Sequence, residues 1–108
     1  MIITKSKNYK KSYQKLILRK NLLEEQSRIQ HIEDLIIASN HLQELILSPY
    51  KNIYHIEQKK GNLKEYYTAR INSKLRLIMK PVGKYPYEKI EIDEIEFVDI
   101  DDHHYGEG

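Results

Sequence analysis

The chain has no cysteine and no tryptophan, a single phenylalanine, three prolines and four glycines in 108 residues. Without cysteine there is neither a disulfide framework nor a thiolate metal site. Few prolines and glycines argue against a low-complexity or collagen-like chain. No apolar stretch approaches the roughly 20 residues that cross a bilayer, and the opening residues Met1-Ile2-Ile3-Thr4 lack the long apolar core of a secretory leader. The expectation is a cytoplasmic protein without a membrane partner. At this length the chain makes one domain, residues 1–108, with one core.

What is present is charge and tyrosine. Charged residues make up 31% of the chain and apolar ones 40%, and the net charge of +2 conceals a gradient. Residues 1–30 hold eight Lys/Arg against two Glu, residues 31–65 four against five acids, and residues 66–108 six against nine. A basic first third suits a polyanionic partner, because phosphate neutralisation supplies most non-specific nucleic-acid affinity. Lysines on a helix also simply solvate its outer face. The nine tyrosines offer rings for stacking on bases, or serve a sheet with the hydroxyl kept wet.

Ile2-Ile3-Thr4 reads as a short strand. From about Asn8, Leu16, Leu22, Leu23, Ile29, Ile32, Leu35 and Ile36 recur at helical spacing, as two helices broken between Lys20 and Ser27. A further turn around Leu42, Leu45 and Ile46 opens at Asn40 with Gln43 three residues on, a capping-box spacing, and closes at Pro49. Beyond Pro49 the period changes to that of strands, at residues 53–57, 65–71 and 75–80, with Gly61-Asn62 and Asn72-Ser73-Lys74 as turns. A longer loop at Pro81–Pro86 leads to a last strand, Ile90–Ile100, whose alternation slips near Phe97-Val98 as at a β-bulge. The expected fold is α+β. A short N-terminal strand and two or three helices pack on an antiparallel, twisted sheet of four to five strands.

The segment Glu57 to Lys80, with its Asn62-Leu63, the pair Tyr66-Tyr67, then Arg70-Ile71-Asn72 and Arg76-Leu77, resembles the central block of YoeB-like members of the RelE/ParE toxin superfamily. The end of the described pattern, Asp102-His103-His104-Tyr105, is similar to the His-Tyr terminus of the same group. The resemblance is specific over about residues 53–80 and 99–105 and architectural over residues 1–50. Val82–Lys89 resembles an expanded hairpin loop, and Gly106–Gly108 overrun the usual end. It implies a RelE-like fold and the toxin of a type II toxin–antitoxin system, a ribosome-dependent messenger-RNA endonuclease needing no metal or other cofactor. Implied partners are a cognate antitoxin, the ribosome and messenger RNA, with a homodimer left open. Two alternatives on the same fold stay open: a non-enzymatic gyrase inhibitor like the ParE toxins, and an inactive antitoxin-binding module.

Cleaving RNA through its own 2′-hydroxyl requires a base for that proton, an acid for the departing 5′-oxygen, and cations for the phosphorane. On the resemblance, Glu57 is the candidate base, His104 the candidate acid, and Arg70 and Arg76 are the phosphate forks. Tyr105 or Tyr67 would stack on or orient a base. Lys59, Lys60 and Lys64 would add positive charge. HigB-like relatives end in Asp-Tyr-His, so His103 remains the alternative acid. The plainer readings are a solvated Glu57, and arginines paired with Glu65 or the acidic last strand. The acid-rich run from Asp99 to His104 is not read as a metal site, since alternate strand residues face opposite ways. His31, His41 and His55 carry no partner pattern.

Overall fold

Ser6 shows how the first elements are joined. Its hydroxyl oxygen accepts from the Tyr9 N–H at 3.0 Å, capping the helix that follows, and its hydroxyl donates to the Val98 carbonyl at 2.6 Å, tying that helix to the far end of the chain. In this computed structural model, which describes residues 1–102, the elements run β1 (Ile2–Lys5), α1 (Lys7–Ile17), α2 (Leu23–Ala38), α3 (Leu42–Leu47), α4 (Tyr50–Ile53), β2 (Glu57–Gln58), β3 (Tyr67–Arg70), β4 (Arg76–Pro81) and β5 (Glu94–Asp101). Short 3-10 turns occur at Lys20–Leu22 and Gly61–Leu63.

The five strands form one sheet in the order β1-β5-β4-β3-β2. Strands β2 to β5 pair antiparallel, but β1 runs parallel to β5, so the sheet is mixed where the sequence suggested a wholly antiparallel one. Tight turns enforce antiparallel pairing only between the strands they join, and β1 reaches β5 through a crossover that includes all four helices. The expected bulge is present. Met79 pairs with Phe97 and Ile78 with Asp99, leaving Val98 as the extra residue.

Boundaries differ from expectation where backbone groups are committed elsewhere. The helical break runs from Leu18 to Leu22, where Arg19 adopts an extended backbone, starting just ahead of the expected window and overlapping its first residues. The cap of α3 is His41, whose Nδ1 accepts from the Glu44 N–H at 3.2 Å, while the Glu44 carboxylate accepts from the Asn40 N–H. The box therefore sits one residue later than Asn40 and Gln43 suggested. Ile53 closes helix α4, which Pro49 opens, so the first expected strand shrinks to Glu57–Gln58. The last strand starts at Glu94 because the preceding loop gives its carbonyls to α3: Leu42 and Gln43 N–H groups donate to Ile92 and Lys89.

Helices α1 and α2 cover one face of the sheet. Tyr9 and Leu16, with Ile29, Ile32 and Ile36, pack on Ala69, Leu77, Met79, Ile95 and Phe97, all buried. Tyr9 meets Phe97 edge-on at 5.3 Å. The β3–β4 turn is built by Asn72, whose side-chain oxygen accepts from the N–H groups of Lys74 and Leu75 at 2.8 and 2.7 Å, and whose amide donates to Glu25 of α2 at 2.9 Å.

Phe97→Ala should lower unfolding free energy by about 3–5 kcal/mol, the usual cost of emptying a buried aromatic site, seen as a lower urea midpoint at unchanged slope. Asn72→Ala should cost about 1–2 kcal/mol and speed amide exchange at Lys74 and Leu75 selectively. Unchanged exchange there would mean that the turn does not depend on this side chain.

Candidate active site

Strand parity divides the second half of the chain between two faces. Tyr67, Ala69, Leu77 and Met79 point to the helices, so Thr68, Arg70, Arg76, Ile78 and Lys80 point the other way. Glu57 pairs with Thr68, and Thr68 with Ile78, which puts the Glu57 side chain on that same outer face. Arg70 pairs directly with Arg76, and Arg76 with Asp101. Two cross-strand rows result: Glu57–Thr68–Ile78, and one step along the sheet, Arg70–Arg76–Asp101.

The two arginines are held differently. Arg76 is buried, and its guanidinium donates to the carbonyls of Asn72 at 2.7 Å and Leu75 at 3.2 Å, so the Asn72 turn also fixes the Arg76 fork. Arg70 is exposed, and its guanidinium makes no hydrogen bond or ion pair among the described residues. Its backbone, by contrast, is clamped on both sides. The Arg70 N–H donates to the Tyr54 carbonyl at 2.7 Å, and its carbonyl accepts from Arg28 Nε at 2.7 Å. Arg28, on α2, also donates to the Ile53 carbonyl at 2.7 Å and lies over the Tyr54 ring at 5.1 Å. Nothing in the sequence marked Arg28, because its role depends on a helix crossing the end of β3.

Glu57 is exposed on the two-residue edge strand, with Lys59 half-buried just beyond it and Lys60 and Lys64 exposed. Lys64 lies over the Tyr85 ring at 5.2 Å and Lys80 over the Tyr66 ring at 5.6 Å. At the other end, Lys15 and Arg19 of the first helical segment line a concavity of about 260 Å³ with Leu75 and Asp102, next to the start of β4.

Tyr67 does not belong to this surface. It is buried on the helix side, and burial pushes its hydroxyl pKa up, with Tyr85 adding to the shift. Its neighbour Tyr66 has the parity of Thr68 and Arg70 and stands beside Lys80 on the outer face. The spacing from Arg70 was the available signal: four residues back along a strand returns to the same side. His103, His104 and Tyr105 lie outside the described residues, which end at Asp102 just beyond β5.

Chemically, the described outer face offers a planar fork fixed by backbone carbonyls, a second fork free to turn, and a carboxylate one row away, a set suited to a phosphodiester. No protein-family model matches the chain, and no curated protein matches its sequence. Solved structures do. YafQ from E. coli strain BL21(DE3) aligns at a TM-score of 0.62 with 16% identity, over 94% of this chain and 91% of that one. The YoeB/ParE toxin from Agrobacterium tumefaciens aligns at 0.59 with 17% identity, over 96% of this chain and 100% of that one. The E. coli DinJ–YafQ toxin–antitoxin complex aligns at 0.57 with 18% identity, over 94% and 90%. At these identities the likeness speaks to architecture, and the α+β chain, with an N-terminal strand, four helices and a five-stranded mixed sheet among its described residues, has the RelE-like fold of the YafQ and YoeB/ParE toxins.

Proposed function

We propose that this protein is the toxin of a toxin–antitoxin pair and acts as a metal-independent endoribonuclease on messenger RNA at the ribosome. The observation that supports this most is the register of Arg70 opposite Arg76, with Glu57 on the same face one row away. In the proposed reaction Glu57 takes the proton of a ribose 2′-hydroxyl, whose oxygen attacks the adjacent phosphorus. The phosphorus–oxygen bond to the 5′-carbon breaks, and His104 protonates that oxygen. The products are a 2′,3′-cyclic phosphate and a 5′-hydroxyl. Arg76 and Arg70 hold the phosphorane's charge, Lys59, Lys60 and Lys64 extend the cationic surface, and Tyr105 orients a base. Tyr66 takes the stacking role first given to Tyr67.

The antitoxin reading follows from the likeness to the DinJ–YafQ toxin–antitoxin complex. An unsilenced ribonuclease would arrest its own host, so a partner segment with carboxylates should cover the arginine row or displace the C-terminal residues.

Arg76→Ala and His104→Gln should each lower cleavage by about 10²-fold or more, read by primer extension on translated messenger RNA with circular dichroism checking the fold. His103→Gln is the control for the doublet and should cost much less. If both changes leave growth arrest intact, cleavage is not the mode of action and gyrase becomes the target to test. Binding to RNA or ribosomes should weaken about tenfold or more over a fourfold rise in salt. A flat salt profile would count against a polyanionic substrate.

A further inference from the structure

A separate concavity lies on the helix side of the β2 edge, with Glu57 at its border. This cavity, of about 450 Å³, is walled by Lys51, Asn52 and His55, by Lys89 from the long loop and by Glu57, with Tyr67 in its lining. That volume lies within the range of small-ligand clefts, roughly 300–1,000 Å³. Among the described residues Glu57 is the only acidic residue in the lining, against two lysines and a histidine. Neither the two lysine side chains nor the His55 ring makes a hydrogen bond or ion pair among the described residues.

The backbone supplies an independent observation. Helix α4 ends with the Tyr54 N–H donating to the Tyr50 carbonyl and the Ile56 N–H donating to the Lys51 carbonyl at 3.0 Å, which places His55 at the left-handed position of the closing turn, with φ at 50°. Glycine fits that position best, because a β-carbon there crowds the following carbonyl. The turn itself has no use for an imidazole, yet one stands there on the cavity wall. Strain of this kind is a pointer to function when the strained side chain faces a site.

We propose that the cavity is a nucleotide subsite, in which Lys51, His55 and Lys89 hold the phosphate of the nucleotide next to the cleaved bond. This rests on the RNA-cleavage reading above. The edge strand is two residues long, and Glu57, which register places on the outer face, also borders this cavity. A strand whose 2′-hydroxyl meets Glu57 on the outer face therefore turns over the edge and drops its next phosphate among the three donors. A compact cavity of this size takes one nucleotide, whereas a peptide strand needs an extended groove.

The test is a heteronuclear NMR titration of the full chain with a trinucleotide carrying 2′-O-methyl groups, which binds without being cleaved. Saturable shifts at Lys51, His55 and Lys89 are expected. His55→Gly and Lys89→Glu should each weaken binding about tenfold or more, the scale of one charge-assisted contact. His55→Gly should at the same time keep or raise the melting temperature, so lost binding is not lost folding. Resonances at these three residues that stay still while Arg76 shifts would overturn the subsite and leave the nuclease reading standing. Cavity shifts combined with Arg76→Ala protein that still arrests growth would overturn the nuclease reading and leave a nucleotide site. Equal shifts with inorganic phosphate at the same concentration would reduce the cavity to a free-anion site. A glutamate-rich peptide that outcompetes the trinucleotide would make it a protein-docking surface, and either result overturns the proposal.

Discussion

Arg70 and Arg76 face each other across a tight hairpin, and like charges directly opposed on neighbouring strands repel. The hairpin therefore holds together by other means. Asn72 satisfies the turn with its own side chain and links it to α2 through Glu25, the Arg70 backbone is bonded to Tyr54 and Arg28, and Asp101 stands opposite Arg76 on the third strand. These supports come from α2, from the end of α4 and from β5. An anion placed between the two forks would lower the repulsion that the fold otherwise opposes. Stability and anion affinity thus draw on the same pair of residues with opposite sign.

The two faces of the sheet are filled differently, and they leave Arg70 exposed and Arg76 buried. One face of the sheet is filled by Tyr9, the α2 isoleucines and their strand partners, and on the other Thr68 and Ile78 are buried beside the arginine row. Polar side chains can occupy the outer face only if their parity matches, and a register slip of one residue would exchange the two sets. The bulge at Val98 keeps this in order. It absorbs one residue of β5 so that Phe97 stays under Tyr9 while Ile100 still packs against the core, and Ser6 fixes the bulge carbonyl to the start of α1. A contact at the N-terminus of the chain thereby sets the face presented by its last strand.

Local hydrogen-bonding opportunities moved most boundaries away from the residues that periodicity suggested. Ile53 has the β-branched character of a strand residue, but Pro49 starts a helical turn that ends beyond it. The stretch from Ile90 to Asp93 alternates as a strand would, yet its neighbourhood spends carbonyls on the open N–H groups of α3. Tyr67 and Tyr66 are indistinguishable by composition, and only their parity relative to Arg70 assigns one to the core and the other to the surface.

From the sequence alone came the α+β class, the two long helices, the Asn72 hairpin and the bulge, because these follow from short-range spacing and turn chemistry, while Glu57, Arg70 and Arg76 were singled out by the resemblance of their segment to YoeB-like toxins. The parallel seating of β1 beside β5 was not in it, since a crossover through the helices leaves no local signature. Nor were the Arg28 clamp, the place of Glu57 at the border of the β2-edge cavity, or the left-handed His55 on that cavity's wall. Those depend on residues tens of positions apart meeting in space, and only the packing of α2 and α4 against the end of β3 brings them together.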